Sequence, residues 1–249
     1  AASDVYKRQL EDSYRIIADV LDLKDSPACK SGETCAFDDY DTQIILKKGE
    51  EPAMKGSLKL ANSASDAFIL QYYEEADAQK AAFGHDISIS DWERIARIKD
   101  VYGDVLFTAP VVAYNVAHPL LVYMNDELNS DARKFTFLCG HDSNIASVNA
   151  ALEVEDYELP SSIEKKTPIG SKLVFEKWID KSGNEFVAIN LVYQTTEQLR
   201  NIEMLDLDHS PMVYQLQLKG LKLNADGLYS FEDVNGRFEK AIAAYDDIK

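Results

Sequence analysis

Apolar residues recur along this chain at two different periods, and the change of period divides it. From Leu10 the positions Leu10, Tyr14, Ile17 and Leu21 keep helical spacing. After a polar, glycine-bearing passage to about Ser57, a second helix is expected near Ser65 to Ala82. Its face of Ile69, Tyr72, Tyr73 and Ala76 is an aromatic stripe of the kind that packs a core. Ser90 and Glu93 spell a capping box opening a helix with Trp92, Ile95, Tyr102 and Leu106. Pro110 fits a first helical position, and the helix it opens is expected to kink or end near Pro119. Roughly the first hundred residues therefore read as all-helical.

Beyond them the texture changes. Phe135 to Cys139 is a short apolar run ended by Gly140, the pattern of a strand buried on both faces. Asp142 or Ser143 can then cap a helix whose apolar positions are Ile145, Val148 and Leu152. Lys172 to Ile179 and Phe186 to Thr195 are β-rich runs joined by Asp-Lys-Ser-Gly-Asn, a hairpin signature. Val213 to Lys219 alternates as a further strand, and Phe231, Val234, Phe238, Ile242 and Tyr245 mark a closing amphipathic helix. The second part thus has the elements of half an α/β domain.

Candidate chemistry gathers where the central strand turns into its helix. A helix N-terminus presents unpaired N–H groups and a positive dipole end to an anion, and ligands of open α/β sheets collect beyond the carboxyl ends of strands. His141 and Asp142 occupy that spot. A histidine there can hold a phosphate oxygen, and a protonated carboxyl can give its proton to a leaving alcohol. An ordinary aspartic acid is protonated only in acid. The plainer reading is that the pair merely ends a strand and caps a helix.

Composition narrows the classes of function. With 249 residues and 46% apolar content the chain can bury real cores. A net charge of −17 argues against nucleic-acid and anionic-membrane partners, both of which need clustered Lys and Arg. The longest largely apolar stretch, Val111 to Met124, is too short to span a membrane and contains Asn115 and His118. That acidity is awkward for phosphate, because the nearest basic pair in sequence, Arg133 and Lys134, lies at the far end of the expected strand.

The segment GHDSNIAS, Gly140 to Ser147, resembles the HD motif of the histidine acid phosphatases, in the branch of bacterial glucose-1-phosphatases and periplasmic phytases. SPACKSGETC (26–35), AFILQYYE (67–74), TPIGSKLVF (167–175) and VYQTTEQLRN (192–201) resemble the same branch in the same order, so the likeness covers nearly all of Leu10 to Lys249. It implies a phosphoglycerate-mutase-like histidine phosphatase fold, α/β plus all-α. This chain would supply the helical domain, residues 10–103, and the C-terminal half of the α/β domain, residues 104–249. Residues 1–9 match nothing in the family, have no apolar signal-peptide core, and are set aside as a non-native leader.

The resemblance implies an acid phosphomonoesterase of sugar phosphates or inositol phosphates, without cofactor, acting on a small-molecule phosphomonoester in a periplasmic or secreted setting. Asp142 would be the general acid, and His141 would bind the transferring phosphoryl group. Glu74 lies where the family's helical domain overhangs the site, so it could touch a sugar hydroxyl or gate entry; the plainer reading is a solvated acid beside Glu75 and Asp77. Cys29 and Cys35, without two further ligands nearby, make a poor zinc site, and in the family this loop is cross-linked. Two further cysteines that bracket a later loop in the family correspond to Leu221 and Tyr229 here. No pair of histidines has metal-ligand spacing, and Asn224 to Asp233 fails as a calcium loop at its first and last positions. A second Gly-His-Asp, at 84–86, lacks the flanking strand and helix.

Members of the family attack phosphate with a histidine of an R-H-G-x-R-x-P motif. This chain contains no Arg-His pair. The expectation is that the nucleophile and the first strands of the sheet belong to a missing N-terminal part, that this chain alone is inactive, and that a sheet edge with apolar faces stands open. A non-catalytic phosphate or phosphosugar binder is the alternative.

Overall fold

The computed structural model describes residues 2–38 and 41–248, with side chains from residue 8 onward. In chain order the elements are α1 (Ala2–Val20), α2 (Pro27–Lys30), β1 (Gln43–Ile45), β2 (Ala53–Lys55), α3 (Ser57–Glu74), α4 (Ala78–Ala81), α5 (Ile89–Phe107), α6 (Pro110–Leu128), α7 (Asp142–Ala151), β3 (Lys172–Ile179), β4 (Glu185–Tyr193), α8 (Thr196–Arg200), β5 (Met212–Gln215), β6 (Tyr229–Ser230) and α9 (Phe231–Ala243). They bury two apolar cores. The first joins Leu10, Ile17, Leu58, Ile69, Trp92 and Ile95 from α1, α3 and α5, and takes Ile163 from the loop before β3. The second joins Leu121, Val148, Leu191, Tyr193 and Phe238 from α6, α7, β4 and α9.

The helical part differs from expectation in its joints. The backbone is helical from Ala2, through the residues that the sequence reading sets aside. The expected helix over 65–82 begins eight residues earlier and stops at Glu74, because Asp77 starts a new one by accepting from the N–H groups of Gln79 and Lys80. The capping box of α5 uses Ser88 and Asp91 instead of Ser90 and Glu93: the Ser88 hydroxyl oxygen accepts from Asp91 N, and the Asp91 carboxylate accepts from Ser88 N. Both pairs have the required spacing, and Ser90 falls inside the helix. Pro119 does not end α6, which runs on to Leu128. The polar passage before α3 forms an antiparallel β1–β2 hairpin, so this part is not purely helical. No single helix among the described residues is long and apolar enough to cross a membrane.

The expected hairpin pairs in register from Lys172↔Val192 to Ile179↔Glu185. Its turn is closed by the Asp180 carboxylate, which accepts from Ser182 N and Asn184 N, and Gly183 supplies the left-handed residue at φ 83°. Thr195 leaves the strand to cap α8, in a capping box with Gln198. β5 and β6 share the other edge of β4, and every ladder is antiparallel. β5 stops at Gln215, short of the expected Lys219, and beyond it the chain keeps only a bridge from Leu218 to Val154.

The main correction concerns Phe135 to Cys139. Expected as a strand buried on both faces, it joins no ladder among the described residues. Phe135, Phe137 and Leu138 are 80%, 65% and 41% exposed, and Cys139 is an exposed free thiol. Apolar composition favours burial, but a strand also needs a neighbour to pair its N–H and C=O groups, and no described segment comes alongside.

Phe238 fills the second core with no exposed surface and meets Phe175 edge-on at 5.6 Å. Phe238→Ala should cost about 3–5 kcal/mol in urea unfolding, because the emptied volume is walled by sheet and helix and collapses poorly. A cost below about 1 kcal/mol would mean that this core is loosely packed.

Candidate active site

The site is built on the head of α7. His141 is its N-cap, in an extended conformation, and its N–H donates to Asn144 Oδ1 at 2.8 Å. The cap explains Gly140: a Cβ there would stand 2.9 Å from that same Asn144 oxygen and push it off the cap. Asp142, the first helical residue, accepts from Ser143 N at 2.8 Å through Oδ1. His141 and Asp142 therefore sit where an anion would meet the helix dipole.

The residues from His141 to Asn144 line a cavity of about 1060 Å³ between the two parts of the chain. Its wall is acidic, with Glu50, Glu51, Asp66, Asp100, Asp104, Asp142, Glu153, Glu155 and Asp156 against Lys99, Lys166 and Lys219, so carboxylates outnumber lysines three to one. Lys166 is engaged by Asp156 and lies over the ring of Tyr157.

Lys99 is the cation nearest the motif. Its Nζ lies 3.5 Å from Asp142 Oδ2, 2.8 Å from Glu164 Oε1 and 3.7 Å from Asp66 Oδ1. Burial opposes its charge, but Glu164, Asp142 and Asp66 outweigh that and hold its pKa above the usual lysine value. Glu164 is wholly buried, and its Oε2 accepts from the Tyr73 hydroxyl at 2.9 Å and from Ile169 N at 3.1 Å. Burial, then the Glu164 charge, pushes the Tyr73 hydroxyl upward, which keeps its proton in place as donor. Sequence reading finds no basic group near His141; the fold brings one from 42 residues upstream. The missed signal is on α5 itself, where Lys99 completes the apolar series Trp92, Ile95, Tyr102, Leu106 at a core position.

The other expected site residues stand apart from this cavity. Glu74 is the exposed last residue of α3 and does not line it. Cys29 and Cys35 form a disulfide. Leu221 and Tyr229 both pack in the second core, and the buried Tyr229 hydroxyl oxygen accepts from Leu218 N. His85, of the second Gly-His-Asp, faces Asp22 at 3.7 Å on the surface.

A family model for the histidine phosphatase superfamily, branch 2, matches residues 26–194. The chain belongs to that branch of the histidine phosphatases. It is 39% identical to the glucose-1-phosphatase of Providencia rettgeri over 97% of its own length, and 40% identical to that of Salmonella typhimurium over 88%. It spans 60% and 54% of the length of these relatives. The Citrobacter braakii phytase structure superposes with a TM-score of 0.84 at 24% identity, over 97% of this chain and 63% of that one, which establishes a shared histidine phosphatase fold.

Asp100, one helical residue beyond Lys99, is a half-buried carboxyl in the cavity wall. Burial raises its pKa to about 7, against the opposing hydrogen bond from Lys165 N. A carboxyl raised on folding favours the native state below its unfolded pKa of 3.8, and that contribution is lost as pH rises through about 7. Asp100→Asn should therefore gain stability relative to the parent chain between pH 4 and 7, by on the order of 3 kcal/mol. Urea unfolding of both proteins at the two pH values measures it, and an unchanged difference would mean that Asp100 is ionised in the fold throughout.

Proposed function

We propose that this chain is the general-acid and phosphate-holding portion of an acid phosphomonoesterase acting on sugar phosphates of the glucose-1-phosphate kind. The observation that carries the reading is the head of α7, where the His141 and Asp142 pair lines a large cavity beside the half-buried Lys99. The identity to two glucose-1-phosphatases supports it. In the proposed reaction a histidine nitrogen attacks phosphorus while His141 holds a non-bridging oxygen. The ester P–O bond breaks, its electron pair stays on the alcohol oxygen, and that oxygen takes the proton of Asp142. Water then hydrolyses the phosphohistidine and returns a proton to Asp142.

The attacking histidine is assigned to sequence outside these 249 residues. His141 is the one histidine in the described cavity wall, and the chain has no Arg-His pair. Arginines accompanying that histidine would add the positive charge that an acidic cavity needs for phosphoryl transfer. The acidic wall also bears on substrate. Inositol polyphosphates would set several dianions against it, whereas glucose 1-phosphate brings one phosphate and a neutral ring that acidic side chains can hydrogen-bond. The Cys29–Cys35 disulfide suits a periplasmic or secreted setting.

The full-length protein should hydrolyse glucose 1-phosphate at acid pH with a higher kcat/KM than inositol hexakisphosphate. Asp142→Asn should lower kcat on glucose 1-phosphate by about 10²–10⁴-fold, and the 249-residue chain alone should show no turnover. Turnover by that chain, abolished by Asp142→Asn, would place the nucleophile inside it. A loss under about tenfold in the full-length variant would remove Asp142 from the acid role.

A further inference from the structure

We propose that Lys99 is a positioning residue for the Asp142 acid, and that Glu164 is the buried anchor that holds Lys99 in place. The geometry fixes each partner in turn. Glu164 spends Oε2 on Tyr73 and Ile169 N, which leaves Oε1 for Lys99 at 2.8 Å. Lys99, only 15% exposed at its side chain, then faces Asp142 Oδ2 at 3.5 Å. The other Asp142 oxygen accepts from Ser143 N. Both oxygens of the acid are thus oriented, one by its own helix and one by a lysine on α5.

Lys99 hydrogen-bonds Glu164 and is ion-paired with Asp142 at 3.5 Å and Asp66 at 3.7 Å, so one ammonium faces three carboxylates. The placement is costly, since a buried ion pair seldom repays its desolvation in stability. A lysine at a core position of an amphipathic helix, paired with a fully buried glutamate, therefore calls for a role in specifying geometry. Proton transfer to a leaving alcohol is sensitive to such geometry, and a misplacement of about 1 Å can cost about a hundredfold in rate. Asp142 thus shares Lys99 with two other carboxylates, Asp66 from α3 and Glu164 from the loop before β3, and Lys99 is the cation that joins them.

The inference rests on the acid role of Asp142, and the test separates the two. Acid assistance matters for an alkyl leaving group such as that of glucose 1-phosphate and much less for p-nitrophenyl phosphate. In the full-length protein Lys99→Met should lower kcat on glucose 1-phosphate at least about tenfold more than on p-nitrophenyl phosphate. Asp142→Asn should show the same selectivity more strongly, and Lys99→Arg, which keeps the charge, should recover most of the loss. Equal losses of Lys99→Met on both substrates, with Asp142→Asn still selective, would overturn the positioning role and leave the phosphatase reading standing. An unselective Asp142→Asn would overturn both. If Lys99→Met fails to fold, Lys99→Gln, which keeps a polar tip, is compared in the same ratio.

Discussion

A single buried carboxylate holds the parts of this chain in register. Glu164 comes from the loop before β3, yet its partners are Tyr73 on α3 and Lys99 on α5, and its neighbour Ile163 packs in the helical core. An unpaired carboxylate at that depth would be strongly destabilising, so the helices and the loop must meet for either to be satisfied. Arg200 adds a second tie, with its guanidinium 3.8 Å over the Tyr72 ring and donating to the carbonyls of Tyr72 and Ala76. The seam between the two cores is polar and charged where each core is apolar, and the cavity opens along it.

That seam gives the candidate site its character. The head of α7 supplies a cap and a dipole, both local products of the sequence Gly140 to Asn144, while the wall it faces belongs to α3 and α5. The wall is rich in carboxylates, and one of them, Asp100, is shifted towards the neutral form by burial. An anion entering this space finds favourable charge at the α7 terminus and at Lys99, and opposition almost everywhere else. In the proposed reaction positive charge must be concentrated around one phosphoryl group, and an acidic surround opposes any further anion.

How far the sequence could be read follows from how local each feature is. The β3–β4 hairpin was legible because its register is set by five turn residues, Asp180 to Asn184, that carry their own hydrogen bonds. The helix after Gly140 and the α9 stripe were legible from their local patterns, although the cap of the former is His141 and not Asp142 or Ser143, because Asn144 pairs with the His141 N–H. Cap positions slipped where two patterns competed within a few residues, as at Ser88 and Ser90. The run Phe135 to Cys139 was misread because its apolar content says what it prefers and not what is beside it. Lys99 and Glu164 were missed because neither belongs to a motif, and their separation of 65 positions hides a contact that only the tertiary fold makes. A lysine inside an apolar stripe was the available clue.

A double-mutant cycle between Lys99→Met and Glu164→Leu, followed by urea unfolding, tests directly whether this buried pair organises the seam. Lys99→Met strands the buried Glu164 carboxylate and should cost about 3–5 kcal/mol, Glu164→Leu leaves Lys99 still facing Asp142 and Asp66 and should cost less, and the double variant leaves no buried carboxylate without its cation. The double variant should be more stable than the sum of the two losses allows, by at least about 1.5 kcal/mol. Additivity within about 0.5 kcal/mol would mean that Lys99 and Glu164 do not hold one another, and would contradict it.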